Sequence, residues 1–191
     1  MQKLFITAES LLRDSLMLGR QVVDSGFVPT VLVAIWRGGA PIGISVQEVL
    51  EYHGITTDHI AIRTSSYTGI DQQAPVVRMH AIDYLVSRLT SDDRLLLVDD
   101  VFDSGRSIDA VITTLQQRCK RNYPEQVRVA TAYYKPARNT TTRVPDYYVQ
   151  ATEHWLVFPH ELLGLTREEI LANKPVDAGF LESAVGSCLN A

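Results

Sequence analysis

The sequence predicts an α/β fold with a mainly parallel central sheet flanked by helices. Three observations predict it. Short apolar runs alternate with segments of helical length along the chain. A strand buried on both faces of a parallel sheet has an almost continuous apolar sequence of this kind, and the helices between such strands cover the two faces. The 191 residues, of which 46% are hydrophobic and 21% charged, suit one globular domain with a substantial core.

The predicted elements alternate from the amino terminus onward. Residues 9–24 form an amphipathic helix with apolar positions at Leu11, Leu12 and Leu16, and residues 30–35 (TVLVAI) form a buried strand. The same criteria predict helices over 40–52, 80–89 and 107–121, and strands over 58–63, 95–98, 126–134 and 147–151. Ligands of such sheets bind at the carboxyl ends of the strands, so the residues that follow each strand are the candidate functional residues.

Composition limits the classes of function. The formal net charge of −4 does not favour nucleic acid or an anionic membrane as a partner, and no apolar run approaches the roughly 20 residues of a membrane span. Cys119 and Cys188 form no Cys-x-x-Cys pair, so neither a disulfide framework nor a zinc site is expected. The amino terminus has acids inside its apolar stretch, unlike a secretory signal, and we expect a reduced cytoplasmic protein.

The most specific segment is Leu95–Ser107, with the sequence LLLVDDVFDSGRS. An apolar strand ends in acids and passes through a small turn, Asp103–Ser107, directly into a helix. The backbone N–H groups of such a turn and of a helix amino terminus bind anions, and Ser104 and Ser107 add hydroxyl donors. Gly105 permits a positive φ and the close approach of a ligand. The turn therefore predicts a phosphate-binding site.

Two adjacent carboxylates, Asp99 and Asp100, stand at the mouth of this turn. Like charges repel, so a site for phosphate alone would not place two acids there. They suit a ligand that also brings hydroxyl groups, which donate hydrogen bonds to carboxylates, or a bound Mg²⁺. A ribose 5-phosphate combines these features, with its hydroxyls toward the acids and its phosphate in the turn.

The segment resembles the phosphoribosyl pyrophosphate (PRPP) signature of the type I phosphoribosyltransferases. That signature is an apolar strand, two acids, two apolar residues, Asp, Ser or Thr, Gly, any residue, and Ser or Thr, and every position is matched. The resemblance implies the type I phosphoribosyltransferase fold with a small base-binding hood. It assigns the ribose and 5-phosphate of PRPP to Asp99, Asp100, Asp103, Ser104, Gly105, Arg106 and Ser107.

The residues after the strand at 30–35 resemble the pyrophosphate-binding loop of the purine phosphoribosyltransferases. Arg37, Gly38 and Gly39 follow that strand, and a helix begins near residue 40. The guanidinium of Arg37 suits phosphate oxygens, and the two glycines let the backbone face a ligand. The resemblance also implies a cis peptide bond in this loop, between Arg37 and Gly38.

A polar segment over residues 64–73 follows the strand at 58–63 and has no apolar periodicity. Taken alone, it is either a surface loop or a lid that closes over the site and excludes water. Ser65, Ser66 and Tyr67 resemble the flexible loop of the hypoxanthine-guanine phosphoribosyltransferases. The resemblance therefore implies a lid.

Two further segments resemble the base-binding parts of the purine enzymes. Lys135 follows the strand at 126–134, and the resemblance implies that it donates to the exocyclic O6 of a purine. Residues 155–161 (WLVFPHE) resemble the hood, with His at position 160 where Trp is common. There Trp155 would stack on the purine, the backbone of Leu156 would read its edge, and Glu161 would lie near a second Mg²⁺.

The resemblance implies a Mg²⁺-dependent purine salvage phosphoribosyltransferase, a pentosyltransferase among the glycosyltransferases. It would move 5-phosphoribose from PRPP to N9 of a 6-oxopurine (hypoxanthine, guanine or xanthine), release pyrophosphate and form the purine mononucleotide. Asp103 would accept the proton at N7 of the base. Mg²⁺ would be held by Asp99 and Asp100, with Glu161 near the second ion. The family implies a homodimer or homotetramer with no nucleic acid or membrane partner.

Two alternatives stay open. One is a non-enzymatic regulator of the same fold that senses PRPP or a nucleotide. The other is a transferase for a pyrimidine base, although Lys135 with Trp155 favours a purine by resemblance. For either function we expect one domain over residues 1–191. Its parts would be a core over about 27–150, a hood from about 151–165 with a possible amino-terminal contribution, and a helical tail over 166–191.

Overall fold

The computed structural model describes residues 3–67 and 76–182, with side chains except those of residues 65–67 and 76–80. The chain divides into two compact units. The large unit comprises Glu9–Glu153, and the small unit comprises Met1–Ala8 with His154–Ala191. In the described residues, no helix is both long enough and apolar enough to span a bilayer.

The large unit is built on a six-stranded sheet with the strand order β4-β3-β2-β5-β6-β7. Five of these strands are parallel to one another, and β4 pairs antiparallel with β3 at one edge. The strands are β2 (Val31–Trp36), β3 (Asp58–Tyr67), β4 (Val76–His80), β5 (Arg94–Phe102), β6 (Gln126–Tyr134) and β7 (Tyr147–Ala151). The helices are α1 (Ala8–Asp24), α2 (Gly39–Tyr52), α3 (Ile82–Arg88) and α4 (Arg106–Cys119). The predicted fold class is confirmed.

The core lies against the two central strands, β2 and β5. Val33 and Leu97 are fully buried on one face of the sheet, where Leu85 of α3 and Leu115 of α4 pack in the same apolar cluster. Helix α2 packs on β2 and β5, and α1 packs on α2, where a Cβ at Gly19 would lie 2.8 Å from the Cβ of Val49. Helices therefore hold the central strands in place, and the strands fix the loops at their carboxyl ends.

Several predicted boundaries were wrong; helix α4, for instance, ends at Cys119 and not at residue 121. Three others involve strands. Strand β5 continues to Phe102 because its pairing with β6 extends to Tyr134, so the two aspartates lie within the strand. Strand β3 continues to Tyr67 because it pairs with β4, a strand that was not predicted from the sequence. His80 belongs to β4, and α3 starts two residues later. In each case backbone pairing continues through residues whose side chains do not favour a strand.

The small unit contains a two-stranded parallel sheet that pairs β1 (Lys3–Phe5) with β8 (Trp155–Val157). Helix α5 (Arg167–Asn173) follows, and Thr166 caps its amino terminus in a capping box with Glu169. Lys3 Nζ lies 2.8 Å from the Glu169 carboxylate, which ties the first strand to this helix. The amino terminus thus contributes a strand beside the segment predicted as the hood.

Candidate active site

The acidic pair at the end of β5 lies directly against the two glycines after β2. A Cβ built on Gly38 would lie 1.7 Å from Asp100 Oδ2. A Cβ built on Gly39 would lie 2.5 Å from the carbonyl oxygen of Val98 and 3.0 Å from the Cα of Asp99. Only a residue without a side chain fits at either position. The structure therefore brings together two predicted parts of the site that are some sixty residues apart in sequence.

The two adjacent carboxylates lie in different environments. Asp99 is buried, and its Oδ1 accepts a hydrogen bond of 2.9 Å from the backbone N–H of Asp100. Burial, together with the charge of Asp100, raises the pKa of Asp99 well above its usual range. Asp100 is half-buried, and its Oδ1 accepts a hydrogen bond of 2.7 Å from the N–H of Val101. An ionised pair of this kind is stabilised by a ligand that brings hydroxyl donors or positive charge.

Mg²⁺ fits this donor set. The ion prefers hard oxygen ligands and is commonly held by one or two carboxylates together with substrate phosphate oxygens. Asp99 and Asp100 supply two carboxylates, and the side-chain-free backbone of Gly38 and Gly39 lies against them. Within residues 3–67 and 76–182, no group of three or more His, Cys, Asp or Glu side chains forms a metal-ligand cluster. The remaining ligands would then come from substrate and water.

The predicted phosphate turn lies between β5 and α4. Gly105 has φ of +79°, and a Cβ there would lie 2.8 Å from the ring of Phe102 and 2.6 Å from Thr141 Oγ1. Gly105 is also the residue that precedes α4, so no side chain caps the first N–H groups of the helix. A cleft of about 60 Å³ is lined by Asp99, Val101, Phe102, Asp103, Ser104, Gly105, Ser107 and Ile108. This cleft joins the acidic strand end to the turn, while Arg106 lies exposed in the first turn of α4.

Asp103, the predicted proton acceptor, lies between two cations. Lys135 Nζ donates to Asp103 Oδ2 at 3.4 Å, and Arg138 Nε lies 2.9 Å from Oδ1 in an ion pair without hydrogen-bond geometry. Lys135 is only 5% exposed, and its backbone N–H donates to the carbonyl of Phe102 at 2.9 Å. Parallel pairing of β5 and β6 places these residues at the same sheet edge. The predicted base-binding lysine therefore contacts the predicted catalytic acid.

Arg138 and the loop that follows it were not predicted. The N–H of Thr140 donates to the carbonyl of Ser104 at 3.1 Å, and its hydroxyl donates to the same oxygen at 3.0 Å. Asn139 Oδ1 accepts from the N–H of Thr141 at 2.9 Å, which orders the loop. The loop thereby supports the phosphate turn from the neighbouring strand. The sequence does carry one signal for this loop. A run of polar residues follows Lys135, at the carboxyl end of a predicted strand, where functional residues are expected.

The loop after β2 differs from prediction in one respect. The cis peptide bond lies between Trp36 and Arg37, one residue before the position expected between Arg37 and Gly38. The bond is thus at the junction where β2 ends and the turn into α2 starts. Arg37 itself is exposed beside the two glycines, as a residue that contacts pyrophosphate would need to be.

The segment predicted as a lid begins as a strand. Ser65, Ser66 and Tyr67 belong to β3, where they pair with Arg78, Val77 and Val76 of β4. The expectation of a loop over these three residues is therefore wrong, because backbone pairing does not need an apolar pattern. The rest of the predicted lid, residues 68–73, lies outside the described residues. A closing role for this segment stays a prediction.

The predicted base-binding residues of the hood belong to the small unit. Trp155 is 53% exposed at the start of β8, while Leu156 is buried. The rings of Phe158 and His160 stack at 5.9 Å with an interplanar angle of 12°. Glu161 Oε2 accepts a hydrogen bond of 2.9 Å from the N–H of Phe158, which occupies one carboxylate oxygen in holding the turn. Its metal-binding role stays a prediction.

A lysine that was not predicted supports the same turn. Lys174 is buried, and its Nζ donates to the carbonyl of Phe158 at 2.6 Å and to that of Pro159 at 3.4 Å. Burial lowers the pKa of Lys174, against the raising effect of the Glu161 charge. No local pattern in the sequence identifies this contact, because sixteen residues separate the lysine from Phe158.

Comparison with known proteins agrees with the fold described above. The chain is similar to a purine phosphoribosyltransferase from Pyrococcus horikoshii, at 27% identity and a TM-score of 0.66, over 87% of this chain and 99% of that one. It shares its fold with a xanthine-guanine-hypoxanthine phosphoribosyltransferase from Helicobacter pylori, at 23% identity and a TM-score of 0.63, over 82% of this chain and 92% of that one. A Neisseria gonorrhoeae protein solved with bound ppGpp has the same fold, at 19% identity and a TM-score of 0.68, over 85% of this chain and 91% of that one.

The match to a protein family spans the whole large unit and the first residues of the carboxyl-terminal part of the small unit. The family model of the phosphoribosyl transferase domain matches residues 9–162, which include the acidic strand end, the phosphate turn and Lys135. The parallel sheet flanked by helices is consistent with this match. The chain therefore belongs to the phosphoribosyl transferase domain family.

Proposed function

We propose that this protein is a purine salvage phosphoribosyltransferase. It moves 5-phosphoribose from PRPP to N9 of a 6-oxopurine, releases pyrophosphate and forms the purine mononucleotide. Hypoxanthine, guanine and xanthine are the candidate bases. The proposed setting is the cytoplasm, and the proposed assembly is a homodimer or homotetramer.

The observation that carries this proposal is the position of Asp103. Its carboxylate lines the cleft of the phosphate turn and contacts Lys135 and Arg138. A carboxylate beside a phosphate site can accept a proton from a ring nitrogen of a bound purine. A lysine that contacts this carboxylate is within reach of the same purine. A nucleotide-sensing regulator needs the phosphate turn, but it has no need for a proton acceptor with its own pair of cations.

Different residues of the chain bind different parts of PRPP. The N–H groups and hydroxyls of Asp103–Ser107 bind the 5-phosphate at the start of α4. Asp99 and Asp100 accept hydrogen bonds from the ribose hydroxyls and stabilise the positive charge that develops on the ring in an oxocarbenium-like transition state. Arg37 and the backbone of Gly38 and Gly39 bind the pyrophosphate. Asp99 and Asp100 would hold Mg²⁺, which would supply charge neutralisation for the leaving group.

The base is proposed to be a purine with an oxygen at C6. Lys135 is a buried cation whose side chain donates a hydrogen bond to Asp103. It would also donate to the oxygen at C6 of the purine. Trp155 has an exposed aromatic surface on which a purine could stack. The similarity to the Pyrococcus horikoshii enzyme, named as a purine phosphoribosyltransferase, supports the same class of base. Closing of the segment that contains Ser65, Ser66 and Tyr67 over the site would exclude water from the activated sugar.

The test is pyrophosphate release from PRPP and Mg²⁺ with hypoxanthine, guanine, xanthine, adenine and uracil offered separately. We expect release with one or more of the three 6-oxopurines and none without a base. Release with uracil alone would replace the proposal with the pyrimidine transferase. No pyrophosphate release with any base, together with tight binding of PRPP or a nucleotide, would replace the proposal with the nucleotide-sensing regulator.

A further inference from the structure

We propose that a second anion-binding site, specific for phosphate groups, lies at the opposite edge of the sheet from the PRPP site. A cavity of about 450 Å³ is lined there by Ser25, Phe27, Arg94, Gln126, Arg128 and their neighbours. We call it the arginine pocket. Arg94 and Gln126 are the first residues of β5 and β6, whereas the PRPP site lies at the carboxyl ends of those strands. At about 3.3 Å per residue, Arg94 is roughly 16 Å from Asp99 along β5.

The sheet places both arginines on the same face. Arg94 pairs in register with Gln126, and Arg128 lies two residues farther along β6. Because side chains alternate between the two faces of a strand, Arg94, Gln126 and Arg128 all point toward the face where the cavity lies. Two guanidinium groups and a side-chain amide therefore converge on one space.

Each guanidinium is held by neutral partners. Arg94 Nε donates to the carbonyl oxygen of Val28. Arg128 Nη1 donates to the hydroxyl of Tyr147 at 2.5 Å, and its guanidinium carbon lies 4.6 Å from the ring centroid of Phe27 and 5.7 Å from that of Tyr147. Ser25 Oγ lies 2.7 Å from the same hydroxyl and completes the support. Stacking on two rings fixes the plane of Arg128 before any ligand binds.

Neither positive charge is neutralised by the protein. Among residues 3–67 and 76–182, no carboxylate forms an ion pair with Arg94 or Arg128, whereas Arg20, Arg88, Arg118 and Arg138 each pair with at least one. A guanidinium has five N–H donors in a fixed planar array, so each arginine keeps most of its donors for a ligand. Paired donors of this geometry match phosphate oxygens.

The pocket is large enough for more than a bare ion, since ligand sites of small metabolites start at about 300 Å³. The shared chemistry is a phosphate dianion, which can come from free inorganic phosphate or from a phosphate ester. In either case it binds independently of PRPP. This inference does not depend on the proposed transferase activity, because none of the pocket residues belongs to the PRPP site.

The experiment is a titration of the intact protein followed by NMR of the ¹⁵N-labelled arginine Nε–Hε groups. The R94Q and R128Q variants assign the two signals, and the exposed Arg121, two residues after the end of α4, is the matched control. With inorganic phosphate at constant ionic strength, we expect the Arg94 and Arg128 signals to shift along one saturation curve while the Arg121 signal stays in place. A parallel titration with glycerol 3-phosphate distinguishes the sources. Tighter binding of the ester identifies a phosphorylated metabolite, and equal or weaker binding identifies free phosphate.

The variants give a second readout. R94Q/R128Q should weaken the phosphate binding measured by calorimetry at least about tenfold, and R121Q less than about twofold. Movement of the Arg94 and Arg128 signals no larger than that of Arg121, or equal movement with chloride, would overturn the proposal. Because the signals are read in the wild-type protein, misfolding of a variant would not hide that result.

Discussion

The two ends of strand β5 differ in charge and in the way their charges are compensated. The carboxyl end carries Asp99 and Asp100 against glycine backbone, with Asp103 just beyond it in contact with two cations. The amino end carries Arg94, which together with Arg128 is held by neutral groups. One end therefore offers carboxylates to a ligand, and the other offers guanidinium groups.

The difference indicates that the two ends suit different parts of a phosphorylated molecule. Carboxylates at the mouth of a phosphate turn suit a ligand with hydroxyl groups and a bound cation as well as a phosphate. Arginines without carboxylate partners suit the phosphate alone. Discrimination between a sugar phosphate and a phosphate group alone thus depends on which side chains each end presents: carboxylates at one end and arginines at the other. Substituting one residue at a time at the carboxyl end of β5 and in the phosphate turn tests this difference.

The largest effect is expected from D103N, which removes the proton acceptor and leaves the phosphate turn in place. We expect kcat to fall by about 10²–10⁴-fold, the usual contribution of a positioned general base, with the KM for PRPP changed far less. Steady-state kinetics with a 6-oxopurine measure both. Asp109, exposed in the first turn of α4, is the matched control as D109N. Unaltered turnover of D103N would remove Asp103 from the catalytic role.

The next largest effect is expected from G38A, which introduces a Cβ 1.7 Å from Asp100 Oδ2. Either the carboxylate or the loop has to move, and overpacking of this kind costs about 1–3 kcal/mol in the free energy of unfolding. We expect a lower Tm and a raised KM for PRPP. Gly179, where a Cβ meets only an ordinary contact at 3.4 Å, gives the control G179A. Wild-type values for G38A would show that the close approach of Gly38 to the acidic pair is dispensable.

A smaller effect is expected from R138Q. Arg138 is half-exposed, so solvent screens its ion pair with Asp103, and the loss is limited to about fivefold in kcat. The KM for PRPP should stay near the wild-type value, because the phosphate turn is intact. Kinetics of R138Q beside the exposed-surface variant R121Q would measure the difference. A change confined to the KM for PRPP would mean that Arg138 contacts the substrate phosphate instead.

The smallest effect concerns stability and its dependence on pH. The pKa of Asp99 is raised in the folded protein, first by burial and then by the charge of Asp100. Below the ordinary carboxyl pKa of 3.8, Asp99 is protonated in both the folded and unfolded states, so its ionisation does not lower the free energy of unfolding. As the pH rises from 3.8 to the raised value, the unfolded chain releases this proton while the folded protein keeps it, so the free energy of unfolding decreases; above the raised value both states are ionised and the loss is complete.

D99N removes this penalty and keeps the oxygen that accepts from Asp100. We expect the variant to be more stable than the wild type at neutral pH by about 1 kcal/mol or more, which corresponds to a Tm about 2–4 °C higher. The gain should vanish as the pH falls toward the ordinary carboxyl pKa. Thermal unfolding of D99N and D109N across this range is the measurement. A stability gain that does not change with pH would contradict the role of Asp99 ionisation.

The sequence predicted the parts of the site that depend on a local pattern. Strands β6 and β7 have the predicted bounds because their apolar runs start and end sharply. The turn at Gly105 was identified because a glycine in a short, hydroxyl-rich turn between a buried strand and a helix is typical of anion binding. Gly38 and Gly39 were identified from their place after a strand, although their contact with Asp99 and Asp100 follows only from the order of strands in the sheet.

Other parts depend on contacts that no local pattern encodes. The three-residue strands β1 and β8 pair across about 150 residues, and neither has the length of a typical strand. The β3–β4 pairing continues through polar residues because its hydrogen bonds involve only backbone groups. Arg138 contacts Asp103 because β5 and β6 end at the same sheet edge. Such features require the tertiary structure.

The most direct test of the central proposal is ³¹P NMR of PRPP incubated with Mg²⁺, the wild-type protein and hypoxanthine, guanine or xanthine in turn. We expect the pyrophosphate and nucleotide monophosphate signals to grow together, only when a base is present, and to be almost absent with D103N. PRPP that stays intact with every base, or that breaks down to ribose 5-phosphate at a rate independent of the base, would contradict the proposed transfer.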